Sequence, residues 1–134
     1  MGSRRKSREY ALQLLFQDEF VQKPDRKILF LESKKIDSKT RNYAEFLHKH
    51  FVEHRSVIDS LIRKHTQHWS LDRIATVDRN ILRMAIAEFL YAETPGVVVI
   101  DEAIEVARKY SGEESTQFVN GILNSIQLDL KKSR

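Results

Sequence analysis

The stretch VDRNILRMAIAEFLY, residues 77–91, decides the fold. Its apolar side chains are spread around almost the whole circumference of the helix that their spacing predicts: Ile81, Leu82, Met84, Ala85, Ile86, Phe89 and Leu90. A helix that is apolar on nearly every side is surrounded by other elements. We therefore predict a helix over residues 77–92, capped by Thr76, at the centre of the domain.

Helical periodicity continues on both sides of this stretch. In chain order, it predicts helices over residues 5–21, 26–33, 38–68, 101–110 and 114–130, and a single turn capped by Ser70. Residues 97–100 are all β-branched, but we predict no strand there, because no second strand exists to pair with it. The pattern indicates an all-α bundle of about seven helices.

The composition narrows the class of protein. A chain of 134 residues is long enough for one domain with its own core, and we predict a single domain over residues 1–134. The chain has no cysteine, which excludes disulfides and thiolate metal sites and suits the reducing cytoplasm. No apolar stretch is long enough to span a membrane, and no signal peptide opens the chain.

The charge is concentrated at one end. Arg4, Arg5, Lys6 and Arg8 lie in a segment, residues 1–8, that contains no acid. Removing these four from the 23 basic residues leaves 19, equal to the number of acidic residues. This asymmetry predicts a flexible basic arm over about residues 1–8 that binds nucleic acid or an anionic membrane. The alternative is a frayed, solvated terminus.

No pattern of catalytic residues is present. The chain lacks a phosphate-binding glycine loop and a nucleophile motif, so we predict that it is not an enzyme. Asp101, Glu102 and Glu105 form an acidic cluster, but we interpret it as the start of a helix, where acids complement the macrodipole.

The histidines are the remaining candidates for a metal site. His50 and His54 share a helix face, but Glu53 beside His54 does not complete an H-E-x-x-H motif. We therefore interpret the histidines as solvated or interfacial side chains, and we predict no metal and no cofactor.

The segment QFVNG, residues 117–121, is not fully explained by packing. Gly121 in mid-helix costs about 1 kcal/mol relative to alanine, and such a glycine marks close approach by another helix or by a ligand. Gln117 and Asn120 point away from the apolar side, where they can bond to bases or to a protein. Phe118 flanks the apolar side, either as core or as a stacking surface for an unpaired base.

The chain resembles the NusB family of bacterial transcription antitermination factors. The resemblance rests on RRKSREYALQLLFQ at 4–17, on VDRNILRMAIAEFLY at 77–91 and on TPGVVVIDEAIEVARKYSGEESTQFVNGIL at 94–123. It implies two small helical bundles packed together. It also implies binding to boxA RNA, including that of ribosomal RNA operons, together with the ribosomal protein NusE. The pair helps to load a complex that lets RNA polymerase ignore terminators.

The resemblance assigns residues to both partners. The arginine-rich motif of the family is matched by Arg4, Arg5 and Arg8, with Ser7 where alanine is commoner. The implied RNA-binding side also includes Glu114, Gln117, Phe118 and Asn120. The implied NusE side includes Phe16 and Asp78.

General physical chemistry agrees with an RNA target. Single-stranded RNA needs neutralised phosphates and stacked bases, and Lys6 joins the three arginines as a fourth cation. So short an arm binds weakly alone, and a partner protein that extends the surface raises the affinity. We also expect that the apolar surface that meets NusE can support a homodimer of the free protein.

Three other classes of protein share some of these features. A scaffold would bind NusE without touching RNA. A ribosomal RNA cytosine-5 methyltransferase can carry a domain of this family, but it needs a cofactor fold and a nucleophilic cysteine. A helix-turn-helix protein would need an exposed recognition helix, whereas the helix after Thr76 is too apolar to leave the core.

Overall fold

A computed structural model describes residues 2–20, 36–66 and 70–132 of the chain. Within these ranges there are six α-helices, one 3-10 turn and no strand, so the all-α prediction is confirmed. The helices are α1 (Gly2–Phe20), α2 (Ser38–Glu53), α3 (Arg55–His65), α4 (Thr76–Tyr91), α5 (Gly96–Tyr110) and α6 (Glu113–Lys132), and the 3-10 turn is Leu71–Arg73. The helix predicted over 26–33 lies outside the described residues.

Helix α4 is the central element, as its sequence predicts. It packs against all five other helices. Its side chains at Ile81, Leu82 and Ile86 have no exposed surface. Two small bundles share it: α1 and α2 pack on each other and on α4, while α3, α5 and α6 complete the second bundle. The predicted cap at Thr76 is wrong, because α4 begins at that residue and its N-cap is Ala75.

The long helix predicted over 38–68 is interrupted at His54. From the sequence, either Asp37 or Ser38 can cap its start. The structure has Asp37 as the cap, accepting a hydrogen bond from the Thr40 N–H at 2.8 Å. The backbone of His54 then leaves the helical region (φ −122°, ψ 27°), while its N–H still bonds to the carbonyls of His50 and Phe51. Neither glycine nor proline marks this break, so the sequence pattern does not reveal it.

Helix α5 begins at Gly96, five residues before the predicted start. Residues 97–100 form its first turns, and the prediction that they are not a strand is confirmed. The interpretation of Asp101 and Glu102 as a helix start is therefore wrong, since both lie in the second turn. The helix ends at Tyr110, as predicted. Gly112, two residues later, has a left-handed φ of 128° that favours glycine.

Helix α1 begins at Gly2, before the predicted start at Arg5, so its basic residues lie in its first two turns. Cations at a helix N-terminus interact unfavourably with the helix macrodipole, and the first turn holds no acid to offset them. Acids from α4 and α5 supply the compensation instead, as described below. Flexibility of residues 1–8 stays a prediction. None of the described helices is both long enough and apolar enough to cross a membrane.

Candidate nucleic-acid interface

An open groove of about 1000 Å³ lies where the first turns of α1 meet the start of α2 and the connection between α4 and α5. Basic, aromatic and small polar side chains share its walls. Its lining residues are Arg4, Arg5, Arg8, Lys39, Asn42, Tyr43, Phe46, Tyr91, Ala92, Glu93, Thr94, Pro95, Val98 and Glu102. Three of the four basic residues predicted to bind RNA are therefore brought to one surface.

Arg4 lies over an aromatic ring at this groove. Its guanidinium carbon is 3.5 Å from the centroid of the Tyr43 ring, a cation–π contact. Arg4 and Lys39 are exposed, and neither forms an ion pair with a carboxylate within the described ranges. These two cations are available to an anionic ligand.

Arg8 borders the groove, but its side chain is almost completely buried. Its Nε donates to Oε1 of Glu88 at 2.8 Å and its Nη2 donates to Oε2 at 2.7 Å, with the two side chains 4% and 1% exposed. Burial disfavours the Arg8 charge, but the hydrogen bonds and charge of Glu88 outweigh it, and the pKa of Arg8 is raised. Arg8 therefore fixes helix α1 to α4.

Glu88 also holds two groups that shape the groove wall. Its Oε2 accepts from the hydroxyl of Tyr43 at 2.7 Å and from that of Thr94 at 3.0 Å. Burial and the charge of Glu88 raise the pKa of Tyr43. A single carboxylate thus orients the ring on which Arg4 lies.

Arg5 pairs with Glu102 on the open side of the groove. Its Nε and Nη2 each donate to one Glu102 oxygen at 3.1 Å. The hydrogen bond from Arg5 holds the pKa of Glu102 below its usual range. The Arg5 side chain remains 52% exposed, so this pair is easily exchanged for another anion. Glu102 compensates basic residues of α1 and does not serve its own helix start.

Lys6 and Ser7 do not line the groove. Lys6 is exposed and lines a smaller depression beside Asp37 and Lys109. Ser7 is buried, and its hydroxyl donates to the carbonyl oxygen of Thr40 at 2.9 Å, which ties α1 to α2. An alanine at this position would lack that hydrogen bond.

The predicted RNA-binding residues of α6 do not line this groove. Glu114, Gln117 and Asn120 are exposed on one face of the helix, whereas Phe118 is half-buried against the core. Asn120 accepts a hydrogen bond from the Asn124 side chain at 2.6 Å. These residues form a separate polar stripe.

Gly121 belongs to the same exposed face of α6. A Cβ built on it would meet no atom of the described residues within 4 Å. Close helix packing, one of the two explanations of this glycine, is therefore wrong. Close approach of a ligand at Gly121 stays a prediction.

The residues predicted to bind NusE differ in exposure. Phe16 lies on α1 with 38% of its surface exposed. Asp78 is only 7% exposed, and its oxygens accept hydrogen bonds from the hydroxyls of Ser111 and Ser115, both at 2.9 Å. Asp78 therefore joins α4 to the junction between α5 and α6.

Two of the histidines in the described ranges contact polar side chains of other helices. His48 bonds to Asp18 at 2.7 Å, and His65 contacts Ser125 at 2.6 Å and Asp129 at 2.9 Å. The prediction of interfacial histidines holds for these two.

Sequence reasoning missed several lining residues, above all Lys39, Tyr43, Phe46 and Tyr91. Tyr43 follows the apolar spacing of its helix, which predicts a position in the core. The available signal was the spacing of Lys39, Tyr43 and Phe46, which puts a cation and two rings on neighbouring turns of one face.

The comparisons with known proteins all indicate the same family. A model described as the NusB family matches residues 5–128. The chain is 49% identical to the transcription antitermination protein NusB of Koribacter versatilis over 99% of this chain and 94% of that one. It is 39% identical to a solved NusB structure of T. maritima, with a TM-score of 0.83, covering 92% of this chain and 89% of that one. It is also 31% identical to a chain in a crystal structure of the antitermination factors NusB and NusE in complex with double-stranded RNA. That match has a TM-score of 0.81 and covers 94% of this chain and 96% of the other.

Proposed function

Because the chain belongs to the NusB family, we propose that it is a transcription antitermination factor that binds boxA-type single-stranded leader RNA together with NusE. Its role is to promote read-through by RNA polymerase in ribosomal RNA operons. The observation that carries the proposal is the groove lined by Arg4, Lys39 and Tyr43, in which neither cation forms an ion pair with a described carboxylate and Arg4 lies over the Tyr43 ring.

The groove offers both contributions that a single strand requires. Arg4 and Lys39 neutralise phosphates, and the aromatic side chains of Tyr43, Phe46 and Tyr91 that line the groove supply apolar contact to unpaired bases. The Tyr43 and Phe46 rings are nearly parallel, with centroids 5.7 Å apart. Stacking is sequence-tolerant, so selectivity for boxA must come from additional hydrogen bonds to base edges.

The two remaining arginines have different roles in this proposal. Arg5 exchanges its exposed pair with Glu102 for a phosphate, since such pairs contribute little to stability. Arg8 is a positioning residue, because its buried pair with Glu88 holds the basic turn of α1 in place.

The polar stripe of α6 extends the RNA contact beyond the groove. Gln117 and Asn120 supply amide groups that can pair with base edges, and Glu114 supplies an acceptor for base amino groups. Because Gly121 has no side chain, an RNA strand can approach the backbone of α6 closely at this position. Phe118, being half-buried, adds the exposed edge of its ring. Lys6 contributes charge from the adjacent face.

The NusE contact is proposed on the surface around Phe16. The exposed ring is an apolar anchor of the kind that protein interfaces bury. Asp78 supports this surface indirectly, since both its oxygens are occupied by Ser111 and Ser115. In the absence of NusE, the same ring offers a contact to a second copy of the chain.

A scaffold that binds NusE without touching RNA is the second candidate. It is favoured by the engagement of Arg5 and Arg8 with Glu102 and Glu88, which leaves fewer cations for phosphates. The two candidates differ in whether the groove cations affect RNA affinity.

Matched lysine variants on one helix test the proposal. Lys39 and Lys49 are both exposed on α2, but only Lys39 lines the groove. Binding of a boxA-type RNA should weaken about five- to tenfold in Lys39→Ala and stay unchanged in Lys49→Ala, with NusE binding intact in both. Equal RNA affinity in the two variants and the parent protein would instead support the scaffold.

A further inference from the structure

His50, Glu53 and His54 form a cluster that the RNA proposal does not use. Each offers one ligand atom, and these atoms all lie within 4.8 Å of one another. His50 and His54 are half-buried and Glu53 is exposed, so the cluster is open to solvent. From this cluster we propose a binding site for Zn²⁺ at the junction of α2 and α3.

The order of the donors along the chain suits a metal. Residues 50–54 follow the spacing H-x-x-E-H, in which two histidines four positions apart lie on one face of a helix and can share a metal ion. Two imidazoles and one carboxylate are a donor set that zinc binds in proteins. The sequence analysis named these residues but predicted no metal, because H-E-x-x-H is absent; here the glutamate precedes the second histidine instead.

One imidazole nitrogen in the cluster lacks a partner. The Nδ1 of His50 is buried and has no hydrogen bond to any described residue. Buried polar atoms are almost always satisfied, so an unpaired imidazole nitrogen needs an explanation. A bound cation is one that uses the neighbouring donors as well.

The backbone also favours a cation at this place. Glu53 is the last residue of α2 and His54 is its C-cap. The C-terminus of a helix carries partial negative charge from its unpaired carbonyls, which stabilises positive charge nearby. The next basic side chain, Arg55, is directed to Asp59, with Nε 3.6 Å from its carboxylate.

Tyr91 holds the two imidazoles beside each other. Its ring stacks on His50 with centroids 4.9 Å apart and on His54 with centroids 4.4 Å apart. These stacks limit the rotation of both rings, which reduces the entropy lost when they bind an ion. Convergence on a zinc ion still requires a turn of the rings, because zinc–nitrogen bonds are about 2.0–2.1 Å long.

Packing alone is the competing explanation of the cluster. In that case the stacks on Tyr91 are the sole role of His50 and His54, and Glu53 is an ordinary solvated acid. The two explanations differ in what added zinc does.

Calorimetric titration of the full, untagged chain with Zn²⁺ tests the proposal. We expect one equivalent to bind, and we expect about tenfold excess Mg²⁺ not to compete, because Mg²⁺ prefers a shell of oxygens. His54→Gln and Glu53→Gln should each weaken binding by more than about tenfold. Glu53 is exposed, so its variant keeps the fold.

His48→Gln is the matched control, since His48 lies on the same helix and pairs with Asp18 outside the cluster. It should bind zinc as the parent does. Zinc-induced shifts of the His50 and His54 imidazole resonances in NMR spectra would locate the ion independently. Failure to bind zinc, competition by Mg²⁺ or equal affinity in the cluster variants would overturn the proposal. The RNA function would be untouched by any of these results.

Discussion

Arg8 and Glu88 meet in the core of the protein, 80 positions apart in the chain, through two parallel hydrogen bonds of 2.8 and 2.7 Å. The pair joins the first helix to the central one beneath the groove. A buried ion pair is stable only while both charges are present, because either one alone is an uncompensated charge in the core. The basic turn of α1 therefore depends on an acid in α4.

Removal of the Glu88 carboxylate should be severe. Glu88→Ala leaves the Arg8 charge buried and the hydroxyls of Tyr43 and Thr94 without their acceptor. We expect a loss of about 3–5 kcal/mol in the free energy of unfolding, measured by urea denaturation. RNA binding should fall as well, since the groove wall loses its support.

Glu93→Ala is the control for that experiment. Glu93 is an exposed acid in the connection between α4 and α5, five positions after Glu88, and its removal should change the unfolding free energy by less than about 0.5 kcal/mol. If Glu88→Ala lowered the free energy of unfolding by less than about 1 kcal/mol, the buried Arg8–Glu88 pair would not stabilise the fold as argued.

Low pH should reduce the stability of the fold, because it protonates Glu19. Burial works against the Glu19 charge, but hydrogen bonds from Arg79 and Asn80 outweigh it and lower its pKa. A carboxyl whose folded pKa is below its unfolded value of about 4.5 stabilises the fold above that pH. This stabilisation is lost as the pH falls through the folded pKa.

Glu19→Gln tests this dependence. The variant should be less stable than the parent at pH 7, and the difference should shrink as the pH falls from about 5 to 3. Urea denaturation midpoints at both pH values measure it. A difference that stays constant across this range would show that the Glu19 charge contributes nothing.

The central helix was predictable from sequence because its apolar residues occupy every side, which no surface helix can tolerate. The break at His54 was not, because it contains no glycine or proline and depends on how two helices dock separately on α4. The cap of α2 was predictable only as Asp37 or Ser38, since both are polar residues that precede the apolar stripe.

The candidate site was predictable only in part. Four cations in a run signalled an anionic ligand, but sequence cannot show that Arg8 turns inward to Glu88, since that contact spans 80 positions. The aromatic residues of the groove could not be predicted from the sequence for a related reason. Tyr43 has the spacing of a core residue, and only the tertiary structure shows that it also faces a cation.

Two glycines should respond in opposite ways to alanine. Gly121→Ala adds a methyl group to an open helix surface and should raise the unfolding free energy by about 0.5–1 kcal/mol. Gly112→Ala should lower it, because alanine rarely adopts a φ of 128°. Thermal denaturation of both variants measures the contrast.

The same Gly121 variant tests the proposed approach of RNA to α6. If a strand passes close to this backbone, Gly121→Ala should bind boxA-type RNA more weakly while being more stable. Unchanged RNA affinity would remove α6 near Gly121 from the proposed contact surface.

Arg4 should contribute to the salt dependence of RNA binding. If its guanidinium neutralises one phosphate, Arg4→Ala should reduce the slope of log affinity against log salt by about 0.7, the value for a single strand. Binding curves at four salt concentrations give the slope, and Lys49→Ala should leave it unchanged. An equal slope in Arg4→Ala and the parent would place Arg4 outside the phosphate contacts.

The central claim is selective RNA binding strengthened by a protein partner, and its most direct test is a titration of boxA-type RNA with and without NusE, against a scrambled RNA of equal length. The account predicts tighter binding of the boxA-type RNA, a further gain with NusE, and loss of affinity at high salt. Equal, weak binding of both RNAs with no effect of NusE would contradict it.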